Sequence, residues 1–133
     1  MTFSVSINRS RQFVWTTWNN TVTDELLCEY QRSVWGDPSI VGYNKLADLR
    51  AVTECSVTPV GLQRLATIAA GMDDPNGPSK LAIVTSTNTG FGLARMYEAY
   101  RELDPRSTKE VAVFGDIKPA FAWLCPDVQL TAD

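Results

Sequence analysis

Apolar and polar residues alternate at the start of the chain, which predicts two β-strands. Phe3, Val5 and Ile7 alternate with polar residues, as in a strand that is buried on one face. After the connecting residues 8–11, the β-branched and aromatic run over residues 13–18 predicts a second strand. Because the connection is short, we predict that the two strands form an antiparallel hairpin.

Helical and strand patterns alternate beyond the hairpin. Thr23 is a predicted N-cap of a helix that Gly36 ends, and residues 46–52 predict a strand. Thr58 followed by Pro59 predicts the start of a second helix with an apolar stripe. The apolar run over residues 81–84 predicts a strand that is buried on both faces. A helix whose apolar stripe includes Leu103, a strand over residues 111–114 and a final helix capped by Asp116 complete the pattern.

The predicted order of elements is ββαβαβαβα, in a single domain over residues 1–133. Strands that alternate with helices form right-handed crossovers. We therefore predict an α/β fold with a mixed, mostly parallel sheet of about five strands, an N-terminal antiparallel hairpin and about four helices. In such sheets, ligands meet the loops that follow the carboxyl ends of the strands. Two predicted loops at that edge are rich in polar residues, 53–58 and 85–90.

The loop over residues 85–90 is the first candidate site for a partner or ligand. It leaves a buried strand and enters a helix, where free backbone N–H groups and hydroxyls can hold a phosphate or carboxylate. No phosphate-binding motif is complete, because Arg95 stands where a third glycine would be needed. Ordinary capping by Asn88 or Thr89 is the alternative. The candidate binding residues are Thr85, Ser86, Thr87, Asn88 and Gly90.

The loop over residues 53–58 is the second candidate. Thr58 fits an ordinary N-cap. Alternatively, Ser56 or Thr58 is a regulatory hydroxyl, since phosphorylation at a helix start changes the surface that a partner meets. Both residues are therefore also candidate partner-binding residues. We interpret Asp48 as a member of a local ion pair or hydrogen bond, because no second carboxylate or nucleophile stands at a spacing that would indicate a catalytic pair.

The chain contains no histidine. This removes His-based triads, histidine general bases and His-containing metal sites. We predict no catalytic residue, no metal ligand, no cofactor and no enzymatic activity, with a histidine-free hydrolase as the remaining alternative. The net charge of -3 argues against a nucleic-acid partner. No secretory signal and no transmembrane segment is visible, so a cytoplasmic location is expected.

Cysteines and tryptophans give two further expectations. Cys28 and Cys55 are interpreted as small core residues, and the three cysteines show no C-x-x-C spacing. Most of the four tryptophans should be buried, while some line a groove or an oligomer interface. Residues 123–126 are a candidate exposed apolar patch.

Several segments together carry a resemblance to a known family. They are residues 47–52 followed by the Thr58–Pro59 helix start, residues 81–84, residues 91–99, and residues 111–114 with Asp116 and 120–124. In these segments the chain resembles the SpoIIAA-like, or STAS-like, family of small bacterial proteins, within the STAS and CRAL-TRIO superfamily. The resemblance implies a mixed sheet with helices packed against it, and binding without catalysis.

The resemblance also implies a mode of regulation. Anti-sigma-factor antagonists of this superfamily bind a kinase-like partner, and phosphorylation of a serine at a helix start switches that binding. The corresponding helix start here is residues 56–58. The usual Asp-Ser-Ser/Thr-Gly pattern is absent, so only Ser56 and Thr58 remain to carry such a switch.

We therefore predict a non-enzymatic binding or regulatory domain that acts through protein–protein interaction at the C-terminal loops of the sheet. The alternative is a carrier or sensor of a small apolar or anionic, lipid-like ligand. It is motivated by the many aromatic residues beside a possible anion loop and by the lipid exchange of related CRAL-TRIO domains. A homodimer is a further expectation.

Overall fold

A computed structural model describes residues 2–126. Its strands are β1 (Phe3–Asn8), β2 (Phe13–Thr23), β3 (Asn44–Ser56), β4 (Ser79–Val84) and β5 (Lys109–Phe114). Its helices are α1 (Asp24–Tyr30), α2 (Pro59–Met72), α3 (Asn88–Leu103) and α4 (Ile117–Leu124). A π-helical turn, Gln31–Trp35, continues directly from α1.

The five strands form one mixed sheet in the order β1-β2-β3-β4-β5. β1 pairs antiparallel with β2, and the other neighbours pair in parallel. The predicted α/β fold, the N-terminal hairpin and the order of elements are confirmed.

Helices cover both faces of the sheet. α1, α2 and α3 pack against one another on one face, and α4 packs on the other. Leu81 and Ile83 of β4 contribute to the core beneath α2 and α3, whereas Ala82 and Val84 contribute to the core beneath α4. This arrangement explains the uninterrupted apolar run, because each residue of a strand covered on both sides is buried.

β2 and β3 extend beyond the rest of the sheet. Val84, the last residue of β4, pairs with Asp48, whereas the pairing of β3 with β2 continues to Ser56. We call the extension the arm; it comprises residues 19–23 of β2 and 51–56 of β3. Two register shifts interrupt the pairing at its base, and Asn20 adopts a positive φ of 62°. Such bulges bend and twist a strand pair.

The arm corrects the predicted strand boundaries. The second and third strands were predicted to end at residues 18 and 52, and both continue to the tip of the arm. Residues 53–56 of the predicted polar loop therefore belong to a strand. Their polar character reflects solvent exposure of the arm, because β3 has no neighbour there other than β2 among the described residues.

The amino-terminal ends of α1 and α2 are tied together. The carboxylate of Asp24, in the first turn of α1, accepts hydrogen bonds from the Thr58 backbone N–H at 2.9 Å and from the Thr58 hydroxyl at 2.6 Å. Thr58 is the N-cap of α2 and accepts from the Gly61 N–H at 3.0 Å. A Cβ on Gly61 would lie 2.0 Å from Asp24 Cγ, so the contact requires glycine there.

Three expectations about individual side chains are wrong. Cys55 is exposed, because it lies in the arm, whereas Cys28 is buried as expected. Leu103, placed in the apolar stripe of α3, is 79% exposed because it is the last residue of that helix. The segment 123–126 is not an exposed patch: Leu124, the last residue of α4, is buried in the core, and the Trp123 ring lies 5.7 Å from that of Phe114.

Candidate functional site

A cavity of about 190 Å³ lies between the sheet and helices α1–α3. β2, β3 and β4 form one wall, and the helices form the other. Its lining is mainly aromatic and aliphatic, and includes Trp18, Trp35, Leu49, Leu65, Leu81 and Tyr97. No Asp, Glu, Lys or Arg of the described chain lines it.

Small residues leave this space open. Ala47 on β3 and Ala94 on α3 both line the cavity, and both are buried. Gly90 lets the first turn of α3 approach the end of β4, since a Cβ there would meet Thr85 Oγ1 at 2.3 Å and Thr87 Oγ1 at 2.8 Å. Protein cores are otherwise densely packed, so a space of this size is a specific feature of the fold.

Two parts of the cavity lining are polar. Thr85, Thr87 and Gly90 line it from the loop between β4 and α3, and Thr53 and Cys55 line it from the arm. Thr87 caps α3 by accepting a hydrogen bond from the Gly90 N–H at 3.0 Å. The N-cap is therefore Thr87, and not Asn88 or Thr89 as the capping alternative proposed.

Aromatic rings surround Tyr30 at another part of the wall. The rings of Phe3, Trp18 and Trp35 lie 4.7, 5.1 and 5.4 Å from the Tyr30 ring. The Tyr30 hydroxyl shares a short hydrogen bond with the hydroxyl of Thr16. Burial raises the pKa of Tyr30 to about 12, so this side chain is uncharged at neutral pH.

The indole N–H of Trp35 is buried and has no hydrogen-bond partner among the described residues. The Trp35 N–H is near enough to the Tyr30 hydroxyl to act on the Tyr30 pKa, but the two groups lie outside hydrogen-bond geometry, and the hydroxyl is engaged with Thr16. A buried donor without an acceptor is rare and costs free energy. Trp35 therefore offers an unused donor in the cavity wall.

A cluster of charged residues lies behind Trp35. Trp35 and Gln31 line both the cavity and a small space of about 10 Å³ that also contacts Lys45, Asp73, Arg101 and Lys109. Lys45 Nζ lies 5.9 Å from the centroid of the Trp35 ring. Arg101 forms an ion pair with Asp73. The two lysines instead donate to backbone carbonyls and a serine hydroxyl.

Burial lowers the pKa of Lys45, and the neighbouring Lys109 lowers it further. Burial likewise lowers the pKa of Lys109. The cluster therefore holds three basic side chains against the single carboxylate of Asp73.

Comparisons with known proteins place the fold. No protein-family model matches the sequence, and no curated protein matches it. A crystal structure does match, that of an uncharacterized protein of the DUF3478 family, with a SpoIIAA-like fold, from Shewanella loihica PV-4. The match has a TM-score of 0.59 and covers 92% of this chain and 94% of that chain, at 15% sequence identity. The chain has a SpoIIAA-like fold. This confirms the fold that the sequence resemblance implied.

Within the SpoIIAA-like fold, some of the candidate binding residues of the loop 85–90 line the cavity and others do not. Thr85, Thr87 and Gly90 line the cavity, whereas Ser86 and Asn88 are exposed and do not line it. The loop thus contributes two threonines and a glycine to the cavity lining.

The candidate regulatory hydroxyls, Ser56 and Thr58, lie outside the cavity lining. Ser56 is exposed at the tip of the arm, and Thr58 is exposed at the start of α2, with its hydroxyl bonded to Asp24. Neither lines the cavity, although Val57 between them does. Ser56 lies eight residues beyond Asp48, which pairs with Val84. That span corresponds to about 26 Å of extended strand, so the two candidate loops do not follow neighbouring strand ends.

Asp48 forms the local ion pair that its sequence context suggested. Its two carboxylate oxygens accept from Arg50 Nε at 2.9 Å and Arg50 Nη2 at 2.8 Å. Burial opposes ionisation of Asp48, but the hydrogen bonds from Arg50 outweigh this effect and lower its pKa. Asp48 does not line the cavity.

Residues 2–126 contain no group of three or more Cys, Asp or Glu side chains arranged to hold a metal ion. None of the helices in this part of the chain is both long and apolar enough to cross a bilayer.

The cavity itself was missed by sequence reasoning. The many aromatic residues suggested a groove, but the lining of the cavity comes from strands, helices and the arm together. Ala47 and Ala94 read as ordinary small core residues in sequence. Only their placement opposite one another in the fold makes them cavity-lining.

Proposed function

We propose that this protein binds a small apolar ligand in the cavity between the sheet and helices α1–α3. The observation that carries the proposal is the cavity of about 190 Å³ with its aromatic and aliphatic lining. A smaller engineered cavity of about 150 Å³, lined by apolar side chains, binds benzene. A ligand of one ring with a short substituent fits the volume.

The proposal corresponds to the alternative that the sequence raised, a carrier or sensor. The cavity lies beside the loop 85–90, since Thr85, Thr87 and Gly90 form part of its lining. The role proposed is binding without a catalytic step.

A hydrocarbon titration with a cavity-filling variant tests the proposal. Ethylbenzene is added to the isotopically labelled protein, and amide chemical shifts are followed by NMR. Shifts are expected at residues that line the cavity, with saturation. Ala47→Leu places three extra carbons in the cavity, so we expect at least about a tenfold loss of affinity, which corresponds to about 1.4 kcal/mol.

Ala51→Leu is the matched control. Ala51 is exposed on the same strand and does not line the cavity, so this variant should bind ethylbenzene as the parent does. Absence of saturable shifts in the parent protein, or equal binding by both variants, would refute a binding site in the cavity. Native mass spectrometry of the purified protein complements the titration, since a co-purified ligand adds mass that denaturation removes.

Protein–protein interaction is the second candidate function. Exposure of Ser56, Thr58, Ser86 and Asn88 favours it, because these side chains are accessible to a partner. Of the two regulatory hydroxyls, Ser56 is the better candidate, since a phosphate on Thr58 would lie against the Asp24 carboxylate. Binding of a recovered partner should then be lost in Ser56→Glu and kept in Glu54→Gln, an adjacent charge change.

The expected homodimer and the expected cytoplasmic location remain proposals. Sedimentation equilibrium across a range of concentrations tests the first, and a monomer at all concentrations would exclude it. Fractionation of cells that express the tagged chain tests the second.

A further inference from the structure

We infer that the ligand carries a carboxylate and that this group lies against Trp35, at the part of the cavity wall that adjoins Lys45. The inference rests on the proposed function and specifies the chemical class of the ligand, an apolar monocarboxylate.

The unused hydrogen-bond donor of Trp35 is the first argument. Its Nε1 is buried without a partner among the described residues, and the side chain lines the cavity. An acceptor on a bound ligand would satisfy this N–H, which a pure hydrocarbon could not do. Gln31 lies beside it in the wall, and its side-chain Nε2 donates a weak hydrogen bond to Met72 Sδ at 3.9 Å.

The charge around Trp35 decides which acceptor is favoured. Lys109 and Arg101 face one carboxylate, that of Asp73, behind the Trp35 ring. Burial lowers the pKa of Lys45 beside them, and a carboxylate at Trp35 would raise that pKa again and favour the protonated amine. Lys45 Nζ lies 5.9 Å from the centre of that ring. Charges interact strongly where water is excluded, so an anionic acceptor at Trp35 is stabilised more than a neutral one.

The rest of the cavity offers no opposing charge. Its described lining contains no acidic side chain, so a carboxylate at Trp35 meets no repulsion from the wall. The apolar body of the ligand would lie against Leu49, Leu65 and Tyr97. The volume of about 190 Å³ limits that body to one ring or a short chain.

Three small ligands of similar shape test the inference. Phenylacetate carries the carboxylate, phenylacetamide is its neutral counterpart, and ethylbenzene lacks a polar group. Dissociation constants are measured at neutral pH by NMR titration. We expect phenylacetate to bind at least about tenfold more tightly than phenylacetamide, since hydrogen bonds to charged groups are the stronger class.

The Trp35→Phe variant removes the N–H and keeps a ring in place. We expect it to reduce the preference for phenylacetate over phenylacetamide to less than about threefold, and this ratio is the readout because the smaller ring changes the space available to both ligands alike. Trp15→Phe is the matched control, because Trp15 packs on the opposite face of the sheet beneath α4 and does not line the cavity. Circular dichroism and thermal unfolding confirm that both variants are folded.

The outcomes separate the two proposals. If ethylbenzene does not bind, the proposed function fails and the inference fails with it. If ethylbenzene binds but phenylacetate has no advantage over phenylacetamide, the ligand-binding cavity stands and the carboxylate inference is overturned. A preference for phenylacetate that survives Trp35→Phe would overturn the assignment of the carboxylate to Trp35.

Discussion

Lys45 and Lys109 hold a loop in place from within the protein. Lys45 Nζ donates to the carbonyls of Ile40, Val41 and Tyr43 at 2.9, 3.2 and 3.1 Å. An ammonium group has three donors, so each has an acceptor when Lys45 is protonated. Lys109 Nζ donates to two of the same carbonyls, at 3.4 and 3.2 Å. The loop before β3 therefore depends on two amines that are close to each other.

These lysines predict that stability rises with pH on the alkaline side of neutrality. Burial lowers the pKa of Lys45 below the ordinary 10.5, and Lys109 lowers it further. Between the lowered pKa of the folded state and the ordinary pKa of the unfolded state, the unfolded state binds more protons. The free energy of unfolding therefore increases with pH in this range. Urea unfolding between pH 7 and pH 9.5 measures this slope.

Tyr30 sets the upper end of the pH range in which stability rises. Its pKa is raised to about 12, so its ionisation favours the unfolded state. Above pH 10 the unfolded tyrosine ionises first, and stability falls. Lys45→Met should flatten the rise, whereas the exposed Lys118→Met should leave it unchanged. A parent protein whose stability is constant or decreases from pH 7 to pH 9.5 would contradict this account.

At the scale of elements, the junction of α1 and α2 depends on one carboxylate and one glycine. Asp24 bonds both the backbone and the hydroxyl of Thr58, and Gly61 leaves room for it. Glycine is a poor helix former, and Gly→Ala within a helix ordinarily stabilises by about 0.8–1 kcal/mol. Here the added Cβ would displace the Asp24 carboxylate.

We therefore expect Gly61→Ala to reduce the free energy of unfolding by about 1–2 kcal/mol, since hydrogen bonds to a charged group are lost. In an Asp24→Ala background the same change should be neutral or stabilising. Gly92→Ala in α3 is the matched control, because nothing lies within 4 Å of its added Cβ. Equal effects of Gly61→Ala in both backgrounds, measured by chemical denaturation, would argue against the coupling.

Sequence patterns predicted the elements better than their lengths. The helix starts at Thr23, Thr58 and Asp116 were recognisable because each N-cap side chain bonds within its own first turn. The arm was not recognisable, since Asn19 and Asn20 in β2 do not favour a strand, and the residues of β3 that pair with them are distant in sequence. The cavity likewise depends on which elements meet, and this is a tertiary property.

For the whole molecule, the two cores share one sheet. β3 and β4 contribute side chains both to the core beneath α2 and α3 and to the core beneath α4. Loss of either core would expose the same strands, so we expect the described chain to unfold as one cooperative unit. The single domain over residues 1–133 stays a prediction, and Met1 and residues 127–133 lie outside the described range.

Fluorine NMR of the protein labelled with 5-fluorotryptophan measures this cooperativity. Trp18 reports on the α1 side of the sheet, and Trp123 reports on the α4 side. Their signals should show the same midpoint in a urea titration. An earlier transition at Trp123 would mean that α4 detaches while the rest of the sheet remains folded.

The strand order has a consequence for where the molecule has space for a ligand. In doubly wound α/β proteins the strand order reverses in the middle of the sheet, the crossovers diverge to opposite faces, and a crevice opens between them. Here each parallel strand is added beside the preceding one without reversal, so right-handed connections place α1, α2 and α3 on one face. The topology of residues 2–126 therefore has no switch point. The space for a ligand lies instead between the sheet and the helices on one face.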